Sequence, residues 1–197
     1  MEAKTHQHYK IYKPYGMLSQ FASNSTQQKR KTFLGELGDF PEGIMPIGRL
    51  DEKSEGLLLL TTDGKLSNYV NSASIEKEYY ALLDGAISDE AIQELCSGVE
   101  IGFDGKKYQT KPCIVARLQS IPTLPERKKK IRDARHGPTS WISVTLTEGK
   151  FRQVRKMTSA VGFPTLRLVR IRIGSLFLEK MQVGEVTKMS TSKINNL

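Results

Sequence analysis

The chain has 197 residues, which is long enough to bury a core without disulfide bonds or metal, as one domain or two small lobes sharing a sheet. It carries 30 Lys and Arg against 21 Asp and Glu, a formal net charge of +9, which favours a polyanionic partner such as nucleic acid over ordinary solubility charge. No apolar run has membrane-spanning length and the first residues lack a signal-peptide core, so we expect a cytoplasmic protein that does not enter membranes.

The cysteines and histidines do not form a metal-binding pattern. Cys96 and Cys113 are far apart, without a CxxC pair. His6, His8 and His136 form no HxxH or HExxH arrangement, so we expect no metal site. Reduced cysteines also fit an intracellular protein.

The N-terminal part begins with a polar segment, residues 1–7, which we expect to be a disordered tail. Alternating residues over 8–13 predict a strand, and residues 17–21 an extended segment. Residues 22–32 predict a polar loop, in which the cluster Lys29-Arg30-Lys31 is either solvated or in contact with phosphate.

A short polar loop between Gly48 and Gly56 contains an arginine, Arg49, two residues before an aspartate, Asp51. The apolar run 57–60 follows at once and predicts a fully buried strand. Asp63-Gly64 then predicts a tight turn. Loops anchored to rigid strands often carry chemistry, although Arg49 and Asp51 could equally form a solvated turn with a weak surface ion pair.

The middle of the chain alternates between predicted helices and strands. Leu66, Tyr69 and Val70 share one face of a helix over 65–70. Residues 76–83 predict a strand that contains Tyr79 and Tyr80. The remaining predictions are a helix that begins after Ser88 and stops at Gly98, and one or two strands over 107–119, interrupted at Pro112.

The densest basic run of the chain lies in a predicted loop over residues 122–138 and includes Lys128, Lys129 and Lys130. Such a run is often a solvated insertion. Because it stands in a compact basic chain, we favour contact with a nucleic-acid backbone.

The last third predicts a strand over 141–147, a helix over 150–162, a strand over 166–173 and a short strand over 184–187, followed by a tail that frays. On the helix, one side carries Arg152, Arg155, Lys156 and Ser159, and the other carries Val154, Met157, Thr158 and Val161. Strands outnumber helices, and few strand–helix–strand units have parallel-sheet spacing. We therefore predict an α+β fold with a mixed, mainly antiparallel sheet and flanking helices.

The residues support one kind of chemistry. A carboxylate such as Asp51 stays ionised among arginines, which suits a nucleophile or an electrostatic stabiliser rather than a general acid. Together with a basic surface and a stacking aromatic, it points to chemistry on a nucleotide. The residues alone do not choose among Arg152, Arg155 and Lys156, nor between Tyr79 and Tyr80.

Four stretches, in the same order, resemble the motifs of the RsuA-type ribosomal RNA pseudouridine synthases, and the resemblance covers residues from about 8 to 187. They are Tyr12-Lys13-Pro14-Tyr15-Gly16, Gly48 through Gly64, Lys77-Glu78-Tyr79, and Glu148 through Leu168. Ser54 stands where Thr is common, and Phe151 where a polar residue is common. Since only residues 1–7 precede the first strand, we expect no N-terminal RNA-binding domain of the S4 type.

The resemblance implies one catalytic domain over 8–187, with two lobes around a central cleft and a C-terminal tail over 188–197. Asp51 would act on C1′ of the target uridine or remove a C2′ proton, and Arg49 would displace the base from its stack. Tyr79 would stack on the flipped uracil, and Arg155 would pair with Asp51. No cofactor is implied, because the reaction is an isomerisation without redox change.

The expected partner is large-subunit ribosomal RNA, bound by a monomer. The RNA contacts that we expect are Lys13, Arg152, Lys156, Lys128, Lys129 and Lys130. Two other functions stay open: a non-catalytic RNA-binding assembly factor on the same scaffold, and an N-glycosidase that uses the same carboxylate to release free uracil.

Overall fold

The computed structural model describes residues 5–23, 30–72 and 75–197. The chain divides into two compact units, the first made of Met1–Ile75 and Arg170–Leu197 and the second of Glu76–Val169. Each unit is described by itself. Residues 1–4 of the expected tail over 1–7, and residues 24–29 of the predicted loop over 22–32, which include Lys29, lie outside the described residues.

Strands make up most of the regular structure. In chain order they are β1 (His8–Lys13), β2 (Met17–Leu18), β3 (Thr32–Phe33), β4 (Met45–Ile47), β5 (Glu55–Thr61), β6 (Lys77–Asp84), β7 (Glu100–Phe103), β8 (Lys106–Gln109), β9 (Ile114–Arg117), β10 (Thr139–Leu146), β11 (Thr165–Ile173), β12 (Leu176–Phe177) and β13 (Val186–Met189).

The α-helices are short. They are α1 (Gly64–Ser72), α2 (Asp89–Ser97), α3 (Gln153–Ala160) and α4 (Thr191–Asn195), with 3₁₀ turns at Leu34–Leu37 and Ala134–His136. The helix α2 begins and ends as the sequence predicts. The Ser88 hydroxyl accepts a hydrogen bond from the Ala91 amide, and Gly98 ends the helix at φ 92°.

The first unit is built around the strand predicted from the apolar run. β5 pairs antiparallel with β1 and β4, and β1 pairs antiparallel with β13. All seven residues of β5 are buried. A strand buried on both faces favours apolar residues without alternation, which accounts for the unbroken leucine run over residues 57–60.

The second unit packs two helices on an antiparallel sheet. β10 lies between β6 and β9 and pairs antiparallel with both. Apolar side chains from these strands and from α2 and α3 form one buried core. On α3, Val154, Met157 and Thr158 are buried, as the predicted helix face requires.

These pairings confirm the predicted fold class. The antiparallel pairs dominate, while β2 and β3 pair in parallel, so the sheet structure is mixed and mainly antiparallel with few helices. No helix within the described ranges is long and apolar enough to cross a membrane.

Several local predictions were wrong for identifiable reasons. Asp63 and Gly64 do not form the predicted tight turn, because Gly64 begins α1. The Asp63 carboxylate accepts hydrogen bonds from the Lys65 and Leu66 amides at 2.9 and 3.2 Å and starts α1, and these amides lower the pKa of Asp63. Tyr69 is exposed on α1, where Ser67 is buried instead. At the C-terminus, the segment expected to fray contains α4, whose Ile194 is fully buried.

Candidate active site

The loop that carries Arg49 and Asp51 connects β4 to the buried strand β5 in the first unit. Gly48 enters the loop at φ 68°, a conformation that L side chains rarely adopt. A Cβ atom at this position would lie 2.9 Å from the Asn71 side-chain oxygen. Glycine therefore sets the entry angle of the loop.

Leu50, between the arginine and the aspartate, anchors the loop. Its side chain is buried, and both of its backbone polar groups bond to the Ser19 hydroxyl. This hydroxyl donates to the Leu50 carbonyl at 2.7 Å and accepts from the Leu50 amide at 3.0 Å. Ser19 is itself only 4% exposed, so a buried side chain fixes the backbone on which Arg49 and Asp51 are mounted.

Further backbone hydrogen bonds close the loop on the side of Asp51. The Ser54 amide donates to the Asp51 carbonyl at 2.9 Å, and the Gly16 amide donates to the Glu52 carbonyl at 2.8 Å. The second bond connects the Lys-Pro turn of the sequence to the loop. The backbone around the aspartate is thus held from two directions.

The two charged side chains differ in exposure. Asp51 is half-buried, whereas Arg49 is exposed and donates to the Gln20 side-chain oxygen at 3.3 Å. Arg49 is therefore accessible to a large ligand. A half-buried carboxylate on a fixed backbone can act on a reacting atom brought to it, because it needs no reorganisation.

Lys13 was expected to contact RNA, and the structure contradicts this. Its side chain is fully buried, and its ammonium donates to the carbonyls of Pro14 and Met17 at 2.8 and 2.7 Å. Burial lowers the pKa of Lys13 to about 7, although the carboxylates of Glu55 and Asp51 oppose that shift. Lys13 holds the turn that precedes β2 and does not face an external ligand.

Tyr79 lies on β6 in the second unit, opposite Val144 of β10. It is half-buried and packs against the apolar core of that unit. Its predicted stacking on uracil stays a prediction. Arg155 also belongs to the second unit, so its predicted pairing with Asp51 of the first unit likewise stays a prediction.

A carboxylate network shapes the loop that precedes α3. Glu148 accepts hydrogen bonds from the Tyr108 hydroxyl at 2.6 Å, the Lys111 amide at 2.9 Å and the Gln153 side chain at 2.5 Å. The bond to Glu148 raises the pKa of the Tyr108 hydroxyl. The Gln153 side-chain oxygen in turn accepts from the Lys150 amide at 2.9 Å.

This network explains why the predicted helix over 150–162 starts later, at Gln153. Arg152 is in the left-handed conformation, at φ 55° and ψ 33°, which is unfavourable for a residue with a Cβ atom. The hydrogen bonds of Glu148 and Gln153 hold the turn on either side of it. Gln153 is 4% exposed, and the helical periodicity of the sequence did not predict its structural role.

The four polar residues predicted on one side of α3 do lie together. They line a groove of about 480 Å³ in the second unit, whose other wall is β7. Arg155 is half-buried there and donates to the Thr165 carbonyl at 3.2 Å. The polar side chains that line the groove on the α3 side are Arg152, Arg155, Lys156 and Ser159.

In the predicted basic loop over 122–138, two half-buried arginines bond to the loop backbone, whereas the lysines are exposed. Arg127 donates to the carbonyls of Lys129 and Lys130, and Arg132 donates to those of Gly137 and Pro138 and pairs with Asp84. These arginines hold the loop backbone. Lys128, Lys129 and Lys130 are exposed to solvent.

Over residues 5–23, 30–72 and 75–197, no three side chains of His, Cys, Asp or Glu converge in a way that could hold a metal ion.

Comparison with known proteins gives consistent results. Residues 7–160 match the family described as RNA pseudouridylate synthase. "Ribosomal large subunit pseudouridine synthase E" of Xanthomonas campestris pv. campestris is 44% identical over 89% of this chain and 91% of its own length. The protein of the same name in Xanthomonas axonopodis pv. citri is 42% identical over 87% of each chain.

Solved structures agree with the sequence relatives. A crystal structure of a pseudouridylate synthase superposes on the whole of this chain and 75% of that one, with a TM-score of 0.75 and 25% identity. The resemblance read from the four sequence motifs is thereby confirmed, as is the expected isomerase class. The chain belongs to the RNA pseudouridylate synthase family.

Proposed function

We propose that this protein converts a uridine of large-subunit ribosomal RNA to pseudouridine. Its similarity to synthases named for the large ribosomal subunit supports that substrate, since the match spans 91% and 87% of the length of the two Xanthomonas relatives. The single observation that carries the catalytic proposal is the fixed loop, in which Ser19 holds the backbone between Arg49 and Asp51.

Asp51 is the proposed catalytic group. It either attacks C1′ of the target nucleotide or removes a C2′ proton while the C1′–N1 bond breaks and the base detaches. The uracil turns and C5 bonds to C1′, as the bond between Asp51 and C1′ breaks or the proton returns to C2′. The proton lost from C5 is balanced by one gained at N1, so the product is an isomer of the substrate. A carboxylate positioned next to the ribose suits either route, because positive charge develops at C1′ as the bond to the base breaks.

Three other residues complete the proposal. Arg49 is exposed beside Asp51, and its planar guanidinium can take the place of the extruded base in the RNA stack. Tyr79 offers an aromatic ring to the flipped uracil, and Arg155 pairs with Asp51 and orients it. Residues 8–187 act in this scheme as one catalytic domain.

The RNA contacts that we propose are Arg152 and Lys156, which line the α3 groove, and the exposed lysines 128–130. These cations are suited to phosphate because each carries hydrogen-bond donors and a full positive charge.

We also propose that the protein is a monomer that works in the cytoplasm, where ribosomal RNA is modified in bacteria.

The test is replacement of Asp51 by Asn in cells that depend on this copy, with pseudouridine mapped across their large-subunit RNA. D51N keeps the size of the side chain and removes its charge. We expect one pseudouridine to be lost and the RNA affinity of the purified variant to be retained. E52Q is the matched control, because Glu52 is the neighbouring acid of the same loop and should leave the modification intact.

Pseudouridine mapping in D51N cells and a mass measurement of treated RNA together separate the alternatives. A non-catalytic assembly factor predicts unchanged pseudouridine in D51N cells. An N-glycosidase predicts free uracil and an abasic site, whereas a synthase leaves the mass of treated RNA unaltered. Persistent modification in the D51N strain would therefore exclude Asp51 as the catalytic group.

A further inference from the structure

Phe151 is an aromatic residue that the proposed chemistry leaves unused. It lies in the turn before α3 and is 66% exposed, although a large apolar side chain gains by burial. A single exposed apolar residue is ordinary on a protein surface. The surroundings of this one are unusual, because both residues adjacent to it in the sequence are cations.

Lys150 and Arg152 flank Phe151 in the sequence, and Lys156 follows one turn into the helix. The Lys156 ammonium lies 5.3 Å from the centroid of the Phe151 ring and donates to the Gly102 carbonyl at 2.6 Å. Lys150 lies over a different ring, that of Tyr108, at 4.8 Å. Cations and an exposed aromatic thus form one continuous surface.

The turn is rigid as well as charged. Arg152 occupies the left-handed conformation, and the Glu148–Gln153 network holds the backbone before and after it. A residue kept in such a conformation indicates a site whose shape is fixed in advance. A preformed aromatic ring loses little entropy when a ligand stacks on it.

The adjoining groove selects the sign of the ligand's charge. Arg152, Arg155 and Lys156 line it. Glu100 is the acidic residue among its lining side chains, and that carboxylate pairs with Lys107 at 2.9 Å. The groove therefore attracts an anionic chain. The exposed Phe151 ring, which lies next to Lys156 of the groove, offers a partner to a flat, apolar group.

We propose that Phe151 is a stacking platform for an unpaired nucleotide of the bound RNA, with the adjacent phosphates in the groove lined by Arg152 and Lys156. A base on an aromatic ring beside a cationic track is the usual arrangement for single-stranded nucleic acid. A duplex hides the faces of its bases, so the platform makes the protein prefer RNA that is single-stranded next to the target. The inference rests on the proposed function only for the identity of the ligand as RNA.

The test compares the binding of a single-stranded RNA decamer and a fully paired duplex of equal length by wild type, F151L and F151Y. F151L is expected to weaken single-strand binding by about 5- to 150-fold, the range that corresponds to about 1–3 kcal/mol for one stacked base. F151Y keeps a ring and should restore affinity. Duplex binding should be the same for all three proteins.

Salt dependence distinguishes stacking from charge. F151L should lower the affinity without changing the slope of log affinity against log salt, because no cation is removed. K156Q should reduce that slope. A direct probe is F151W, whose emission, corrected for the native Trp141, should fall when the single strand binds and stay constant with the duplex.

Equal affinities of F151L and wild type for the single strand would overturn the platform, and so would an equal loss for single strand and duplex. Both readouts are binding measurements and do not depend on turnover. If D51N cells kept their pseudouridine while F151L still lost single-strand affinity, the catalytic proposal would fail and the platform would stand.

Discussion

The Ser19 hydroxyl satisfies both backbone hydrogen-bonding groups of Leu50, donating to its carbonyl at 2.7 Å and accepting from its amide at 3.0 Å. The two residues are 31 positions apart in the chain. One hydroxyl therefore satisfies the backbone amide and carbonyl of the loop, as a neighbouring strand would in a sheet. It also fixes the spacing between the arginine and the aspartate on either side of Leu50.

Replacement of Ser19 by Ala should slow the reaction more than it weakens RNA binding. The variant leaves two buried backbone groups without a partner, which costs about 1–3 kcal/mol in the free energy of unfolding. A loosened loop positions Asp51 poorly, so we expect kcat to fall at least about tenfold with little change in KM. Urea unfolding and steady-state kinetics at a temperature where the variant is folded measure the two effects.

Ser97 supplies the matched control for this substitution. Its exposed hydroxyl donates to the Gln93 carbonyl within α2, so S97A removes a hydroxyl without touching the loop. S97A should retain wild-type kcat. If S19A were as active as S97A, the hydroxyl of Ser19 would matter for stability alone.

The buried ammonium of Lys13 predicts a pH-dependent stability. Lys13 has a pKa of about 7 in the folded protein and an ordinary value of 10.5 in the unfolded chain. Between these values the unfolded state binds the extra proton, so the free energy of unfolding rises with pH, by at most about 1.4 kcal/mol per pH unit. Below pH 7 both states are protonated and this contribution is constant.

Other groups also titrate, so the measured quantity is the difference in unfolding free energy between wild type and K13M. We expect this difference to move in favour of wild type as the pH rises from 7 to 9.5, in a series of urea unfolding curves. K65M, which removes an exposed lysine of α1, should show a flat difference. A flat difference for K13M as well would mean that Lys13 stays charged when buried.

Sequence patterns predicted the elements whose signals are local. The unbroken apolar run 57–60 identifies β5 because a strand buried on both faces needs no polar residue. Ser88 and Gly98 identify the ends of α2 because capping depends on residues within one turn of the helix. The local signal at Asp63-Gly64 is ambiguous, because an aspartate before glycine is favoured both in turns and at helix starts. The predicted turn was therefore wrong.

The parts of the site that the sequence did not reveal depend on contacts between distant segments. Nothing in the composition around Lys13 indicates that Pro14 and Met17 enclose its ammonium, so the expectation that Lys13 contacts RNA was wrong. Ser19 carries no local signal of its bond to Leu50. The cationic face of α3 was predictable because helical periodicity is local, but the turn at Arg152 was not.

The carboxylate of Glu148 should be needed as an acceptor rather than as a charge. In E148A, three donors lose their partner, so we expect a loss of about 2–4 kcal/mol in unfolding free energy together with reduced RNA affinity, because the turn before α3 relaxes. E148Q is the matched control. Its amide oxygen can accept from the Lys111 amide and Gln153, and its NH₂ group can donate to the Tyr108 hydroxyl.

Urea unfolding and RNA binding measure both variants at pH 7. E148Q should lie within about 1 kcal/mol of wild type, since it keeps the hydrogen bonds. If E148Q were as unstable as E148A, the negative charge would be the stabilising feature and the network would need a different explanation.

The exposed lysines 128–130 should supply salt-dependent RNA affinity without affecting the chemistry. The triple variant K128Q/K129Q/K130Q leaves Arg127 and Arg132 in place, and these arginines hold the loop through backbone carbonyls, so the fold of the loop should persist. Each phosphate contact to a single strand contributes about 0.7 to the slope of log affinity against log salt, so the slope should fall by up to about 2. The single-turnover rate at saturating RNA should match wild type.

As a control, K180Q/K188Q/K193Q removes three exposed lysines of the first unit and should leave the slope higher than that of the loop variant. An unchanged slope in the loop variant would show that these lysines face water in the complex, and that the α3 groove carries the electrostatic part of binding.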